Sequence, residues 1–162
     1  MRQGQWLAAL VLATGVPLAG CATDPGKYPD GTRVTSARVA EVADQEWQLA
    51  ALRVDGQDMP LLEQGRPTFM IGKDLRVAGR ATVNRYLGQM KLSDAGEVSW
   101  GPLAGTLMAG PPEAMKQEKT FLDALARTTR MHVGPAGLLL ETPDNRTMLE
   151  FVPADGEKKY RR

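Results

Sequence analysis

The apolar positions of the chain recur in short runs with a period of two. From Glu46, Trp47, Leu49 and Ala51 alternate with Gln48, Ala50 and Leu52, the pattern of a half-buried strand. Asp55-Gly56 then reads as a turn. Thr68–Ile71 and Leu75–Ala78 flank Gly72-Lys73-Asp74 and predict a hairpin. Val83–Leu92 and Glu97–Trp100 follow, separated by Ser93-Asp94-Ala95-Gly96. Three more runs close the pattern: Met131–Val133, Leu138–Glu141 and Met148–Phe151. Gly134-Pro135-Ala136-Gly137 and Pro143-Asp144-Asn145-Arg146 break them. Short strands at such spacing predict a β-barrel or sandwich.

One segment changes period. Over Pro112–Arg127, Met115, Lys119, Leu122 and Ala126 fall on one stripe, with Phe121 and Leu125 beside it. Pro111-Pro112 suits the start of a helix, and Arg127 and Arg130 suit its end. The expectation is a mostly β (α+β) fold with one amphipathic helix, packed across the sheet or over a barrel mouth.

The N-terminus has a different pattern. One positive charge at Arg2 precedes an apolar run over Leu7–Leu18, interrupted at Gly15 and Pro17. That run is shorter than the roughly 20 apolar residues a bilayer span requires, and it matches a secretory signal. Leu18-Ala19-Gly20-Cys21 resembles a bacterial lipobox, and Cys21 is the single cysteine of the chain. The resemblance implies cleavage before Cys21, acylation of its thiol and anchoring in a membrane. Ala22 follows, where an aspartate is the usual inner-membrane retention signal of such lipoproteins. The implied address is the outer membrane, facing the periplasm. Residues 22–44, dense in turn formers at Asp24–Gly31, read as a linker. Within it, Val34–Val42 could become a strand or short helix on folding. The expected organisation is a signal over 1–20, an anchor site and linker over 21–44, one domain over 45–153 and a basic tail over 154–162.

Charge narrows the partners. The chain has 20 Lys+Arg and 19 Asp+Glu, and residues 1–20 contain one of the arginines, so the exported part is formally neutral. A general nucleic-acid binder would need a basic face, and none is expected. With one cysteine, no intramolecular disulfide can form, and the fold must rest on packing. Contact of the basic tail, Glu157–Arg162, with anionic lipid is the alternative to a solvated terminus, which is the favoured reading.

The order of elements resembles the META domain family, the family of HslJ-like heat-inducible bacterial lipoproteins. The resemblance runs from about Glu46 to Val152. It opens on Trp47-Gln48-Leu49 and Pro67-Thr68-Phe69. It continues through Gly79-Arg80-Ala81-Thr82-Val83-Asn84-Arg85-Tyr86-Leu87-Gly88 and Thr106-Leu107-Met108-Ala109-Gly110. Phe121–Leu125 and Leu138–Leu140 complete it. It implies a small lipocalin-like β-barrel of short antiparallel strands with a helix. It also implies a link to envelope stress and drug tolerance in bacteria, or to virulence and motility in parasites. Val83 and Gly110 stand where the family has two cysteines, and Thr82 replaces a glycine. A disulfide closing that loop would be worth about 3–4 kcal/mol.

Candidate chemistry is sparse. His132 is the single histidine and no G-x-S-x-G elbow accompanies it, so a strand histidine is expected rather than a catalytic base. No His/Cys cluster suggests a metal, and Asp55 and Asp58 sit in an ordinary turn. Gly101–Gly105 lacks the Lys-Ser/Thr end of a phosphate loop and reads as a bend. No cofactor and no catalytic residue is expected. Asn84 reads either as a ligand contact at a barrel mouth or, preferred, as an amide bonding the backbone of a tight bend. Trp47, Trp100, Phe69, Tyr86 and Phe151 could line an apolar cavity but more simply fill the core. Met70, Met90, Met108, Met131 and Met148 also read as core. The candidate ligand contacts are therefore Asn84, Trp100 and Tyr86, and the lipidation site is Cys21. Three functions remain open. The leading one is a non-enzymatic lipid-anchored envelope protein that binds a protein or surface component. The others are a carrier or sensor of a small apolar ligand inside the barrel, and a periplasmic hydrolase inhibitor acting through an exposed turn such as Lys73-Asp74 or Asp144-Asn145-Arg146.

Overall fold

The computed structural model describes residues 31–154. The expected signal, Cys21 and residues 155–162 of the basic tail lie outside the described residues. The strands are β1 (Thr32–Arg33), β2 (Glu46–Val54), β3 (Gln57–Met59), β4 (Thr68–Ile71), β5 (Arg76–Arg80) and β6 (Arg85–Leu92). Then come β7 (Val98–Trp100), β8 (Ala104–Gly105), the helix α1 (Pro112–Arg127), β9 (Arg130–Gly134), β10 (Gly137–Glu141) and β11 (Met148–Pro153). The predicted helix and hairpins are present. Asp55 and Gly56 both have positive φ, 52° and 85°, and join β2 to β3 as a two-residue turn.

All pairings are antiparallel, in the order β1-β9-β10-β11-β2-β4-β5-β6-β7, with β3 on β2 and β8 on β6. The expected closed lipocalin-like barrel is not formed. The path ends at β1 and β7, which do not pair. The sheet curls until β7 approaches β9, and the Glu97–Arg130 bridge, a 2.8 Å bond from Val98 N to Thr129 O, a 3.3 Å bond from Ser36 N to Ser93 O and a 3.3 Å bond from Arg33 to Ala95 O reach across the gap without forming a ladder. The end strands explain this, because β1 has two residues and β7 three, too few for a closing ladder.

The concave face holds the core. Leu49, Phe69, Ile71, Met131, Leu138, Leu140, Leu149 and Phe151 are fully buried there, and α1 adds Phe121 and Leu125. Phe121 meets Tyr86 at 5.8 Å and Phe151 at 6.5 Å between ring centroids, and Phe151 meets Phe69 at 5.6 Å. Aromatic packing thus fills the centre.

Three expectations are corrected. In β2 it is Leu52, not Ala51, that is buried, because a bulge opposite Glu150/Phe151 leaves Ala50 without a partner and reverses the alternation. In α1 the buried face is Ala114, Gln117, Glu118, Phe121, Ala124 and Leu125, rotated from the predicted Met115–Lys119–Leu122–Ala126 stripe. Residues 31–44, expected as the end of a linker in which Val34–Val42 could become a strand or short helix, belong to the folded domain: β1 pairs with β9, a 3-10 helix spans Ser36–Glu41, in agreement with the second part of that expectation, and Val34 and Val42 enter the core.

Candidate functional site

The turn between β5 and β6, Ala81–Asn84, lies against α1. The Glu118 carboxylate reaches it from the helix and accepts three hydrogen bonds. They come from Val83 N at 3.0 Å, Asn84 N at 2.8 Å and Asn84 Nδ2 at 2.8 Å. Asn84 Nδ2 also donates to Met108 O at 3.0 Å, while its Oδ1 accepts from Thr106 Oγ1 and Met108 N, each at 2.7 Å. Both amide protons and both lone pairs of Asn84 are therefore used inside the protein. One residue earlier on the helix, Gln117 donates to Thr82 Oγ1 at 2.9 Å and accepts from Leu62 N at 2.7 Å. Asn84 and Glu118 are buried, so each unmade bond would carry a desolvation cost. The candidate ligand contact Asn84 is thus a clamp that ties the β5–β6 turn, the loop after β8 and α1 together.

Val83 and Gly110 adjoin this clamp. A side chain at Gly110 would place its Cβ 3.4 Å from Val83 Cβ, and the Val83 methyl groups occupy that space. Disulfides join Cβ atoms about 3.5–4.5 Å apart. The two positions that the resemblance assigns to a family cysteine pair are therefore neighbours, and here a valine packs on a glycine.

The other candidate contacts are also bound internally. The Tyr86 hydroxyl donates to Thr68 O at 2.9 Å, and burial pushes its phenol well above its ordinary pKa. The Trp100 indole donates to Thr128 O at 3.0 Å and Thr128 Oγ1 at 3.1 Å, and its ring meets Phe69 edge-on. The structure does not bring Asn84, Tyr86 and Trp100 together around one space. His132, on β9, lies 3.4 Å from Gly31 O and 3.4 Å from Glu141, and Arg130 lies 3.2 Å from the same carboxylate. The contact with His132, more than the charge of Arg130, holds the Glu141 carboxyl below its usual range despite burial. Among the described residues no group of three His, Cys, Asp or Glu could hold a metal ion. No described helix is long and apolar enough to cross a membrane.

The open surface is on the convex side of β2-β4-β5-β6. An open groove of 630 Å³ runs there. The register lays two rows across it. Met70, Ala78, Leu87 and Ala104 are successive cross-strand partners and form an apolar row. In the next row Arg80 and Arg85 stand directly opposite each other, and Arg66 lines the groove as well. Met70 is 42% exposed and Leu87 63%. Leu107, 99% exposed, and Met108, 53%, follow β8 beside the same strands. The expectation that Met70 and Met108 are core residues is corrected, whereas Met90 and Met131 are buried.

Sequence reading missed the groove because its signal is one of register. Arg80 and Arg85 flank the Ala81–Asn84 turn, and pairing across that hairpin is what makes them neighbours.

A META domain family model matches residues 40–155, five residues earlier at its start than the expected boundary. Among solved structures, an NMR structure of a protein from Burkholderia xenovorans is 26% identical. It covers 78% of this chain and 96% of its own, with a TM-score of 0.60. A second NMR structure, 24% identical over 75% of this chain and 97% of its own, shares the fold at a TM-score of 0.54. No curated protein matches the chain.

Proposed function

The chain belongs to the META domain family, and on that premise we propose that it is a non-enzymatic envelope protein that binds an envelope component through the convex groove. It is tethered by lipid on Cys21 at the periplasmic face of the outer membrane, and it supports tolerance of envelope stress. The observation that carries this reading is the groove itself: Met70 and Leu87 stand exposed beside arginines, whereas the polar groups of the Asn84 clamp are bonded within the protein. The lipobox-like Leu18–Cys21 supports the tether.

An interior carrier receives less support, because Phe69, Phe121 and Phe151 pack against one another where the ligand would sit. The inhibitor reading keeps one favourable observation. Leu107 is almost wholly exposed on the loop after β8, as a side chain that plugs a cleft would be. The turns first considered for that role are tied down, since Lys73 pairs with Asp44 and Arg146 donates to Asp55 O.

Deletion of the gene in its own host tests the proposal. Sensitivity to heat, detergent and hydrophobic antibiotics rises, and the wild-type chain restores tolerance while a Cys21→Ala chain does not. Unchanged sensitivity of the deletion strain refutes the reading.

A further inference from the structure

Ten arginines lie among the described residues. Arg38, Arg53, Arg76, Arg127 and Arg130 pair with carboxylates, and Arg33 and Arg146 donate to backbone oxygens. Only Arg66, Arg80 and Arg85 have no side-chain partner among the described residues, and all three line the one groove. Arg80 and Arg85 are also direct cross-strand partners. Like charges so placed destabilise a sheet, and neither guanidinium pairs with a carboxylate among the described residues, although Glu46, opposite Met70 at the far end of the apolar row, also lines the groove. A bound anion would relieve that repulsion, and a guanidinium suits phosphate because it offers two parallel N–H donors.

The neighbouring row adds the second half of the chemistry. Met70, Ala78 and Leu87 present an apolar strip one register step from the arginine pair. Leu107 and Met108 continue the exposed apolar surface past β8. Cations bordering an apolar strip match a lipid, whose phosphate lies at the headgroup level and whose chains begin a few ångströms deeper. The groove's 630 Å³ lies within the range of small-ligand sites. An acidic peptide fits less well. The groove floor is formed by β4 and β5, which already pair on both sides, so no sheet edge is free there for an added strand.

We propose that this groove binds the phosphate headgroup of an anionic membrane lipid, with Arg66, Arg80 and Arg85 around the phosphate and Met70, Ala78 and Leu87 against the start of the chains. The inference rests on the groove being the binding surface, as proposed above, and adds the class of ligand. A tether at Cys21 would keep the groove within reach of the bilayer and raise the effective concentration of such lipid.

The test is flotation of the chain without residues 1–20 and with Cys21→Ser, so that no acyl chain contributes. Vesicles of phosphatidylcholine alone are compared with an equimolar mixture of phosphatidylcholine and phosphatidylglycerol. Binding is expected to the mixture and not to phosphatidylcholine alone. Arg80→Gln/Arg85→Gln weakens it about 30-fold, from two basic residues near an anionic surface. Leu87→Asp weakens it with all three arginines in place, and circular dichroism checks that each variant is folded. A chain with Lys158, Lys159, Arg161 and Arg162 changed to Gln keeps binding. If the tail variant loses binding and the Arg80/Arg85 variant keeps it, the tail is the lipid contact and the proposal fails. If inorganic phosphate shifts the groove resonances at the same concentration as a short-chain phosphatidylglycerol, the site is a plain phosphate site and the lipid assignment fails. If no vesicle binds, yet the Arg80/Arg85 variant fails to restore tolerance to the deletion strain, the ligand class is wrong and the groove stands. If that variant restores tolerance fully, the groove reading falls as well.

Discussion

Replacing Glu118 by Gln is the sharpest perturbation of the clamp. One carboxylate oxygen accepts from Val83 N and Asn84 N, the other from Asn84 Nδ2. A carboxamide has one acceptor oxygen, so its NH₂ must face either the two backbone N–H groups or the Asn84 amide. Asn84 cannot turn to compensate, because its Oδ1 already accepts from Thr106 and from Met108 N. At best, one bond is lost and two fall from charge-assisted to neutral strength. That loss is about 3 kcal/mol, from about 1.5–3 for each bond to a charged group and about 1 for each neutral one. A neutral side chain is cheaper to bury, which returns about 1 kcal/mol, and the net destabilisation is about 2 kcal/mol. For a domain of this size that lowers Tm by about 8 °C. Glu118→Ala removes every acceptor and costs more, about 4 kcal/mol, because two buried donors on Asn84 and the half-buried Val83 N–H lose their partner. Urea unfolding followed by circular dichroism measures both variants. A Glu118→Gln protein within about 0.5 kcal/mol of wild type would refute the reasoning, since the carboxylate would then not be what holds the turn.

Other outcomes follow from single geometries. A Val83→Cys/Gly110→Cys chain should oxidise to one intramolecular disulfide; closing about 27 residues is worth about 3.5 kcal/mol, and the gain should vanish on reduction in a paired thermal melt. Gly79→Ala would put a methyl 2.1 Å from Thr68 O and 2.9 Å from the Tyr86 ring, so β4 and β5 must part. A loss of about 3 kcal/mol is expected in urea, and a variant as stable as wild type would show that the strands do not approach so closely. Glu141 has a lowered pKa, so its contribution is present above the ordinary carboxylate value and is lost as pH falls through the lowered one. The stability difference between wild type and Glu141→Gln should therefore shrink from about pH 5 downward; a difference flat to about pH 3 contradicts the assignment.

Elements were more legible in the sequence than faces. The helix was readable at both ends, because Pro111-Pro112 and the basic last turn mark them. Its buried face was not, because Gln117 and Glu118 are buried through hydrogen bonds to loops distant in sequence, which an apolar stripe does not register. The alternation in β2 misled after Leu49, since a bulge depends on the partner strand. The open sheet was hidden for a related reason: closure depends on the lengths of β1 and β7, and two- and three-residue strands carry almost no periodicity. Asn84 stood out in the sequence as a polar residue in a tight bend, and its bonding fits the structural side of that reading. The groove was illegible until pairing placed Arg80 against Arg85 and Met70, Ala78 and Leu87 in one row.

The most direct test of the central claim is native mass spectrometry of the chain made with its own signal and extracted gently from a Gram-negative envelope. The expected mass includes acyl groups on Cys21 and a retained anionic phospholipid that is absent from the Arg80→Gln/Arg85→Gln chain. A free thiol at Cys21, or a lipid adduct that is the same in the variant, would contradict it.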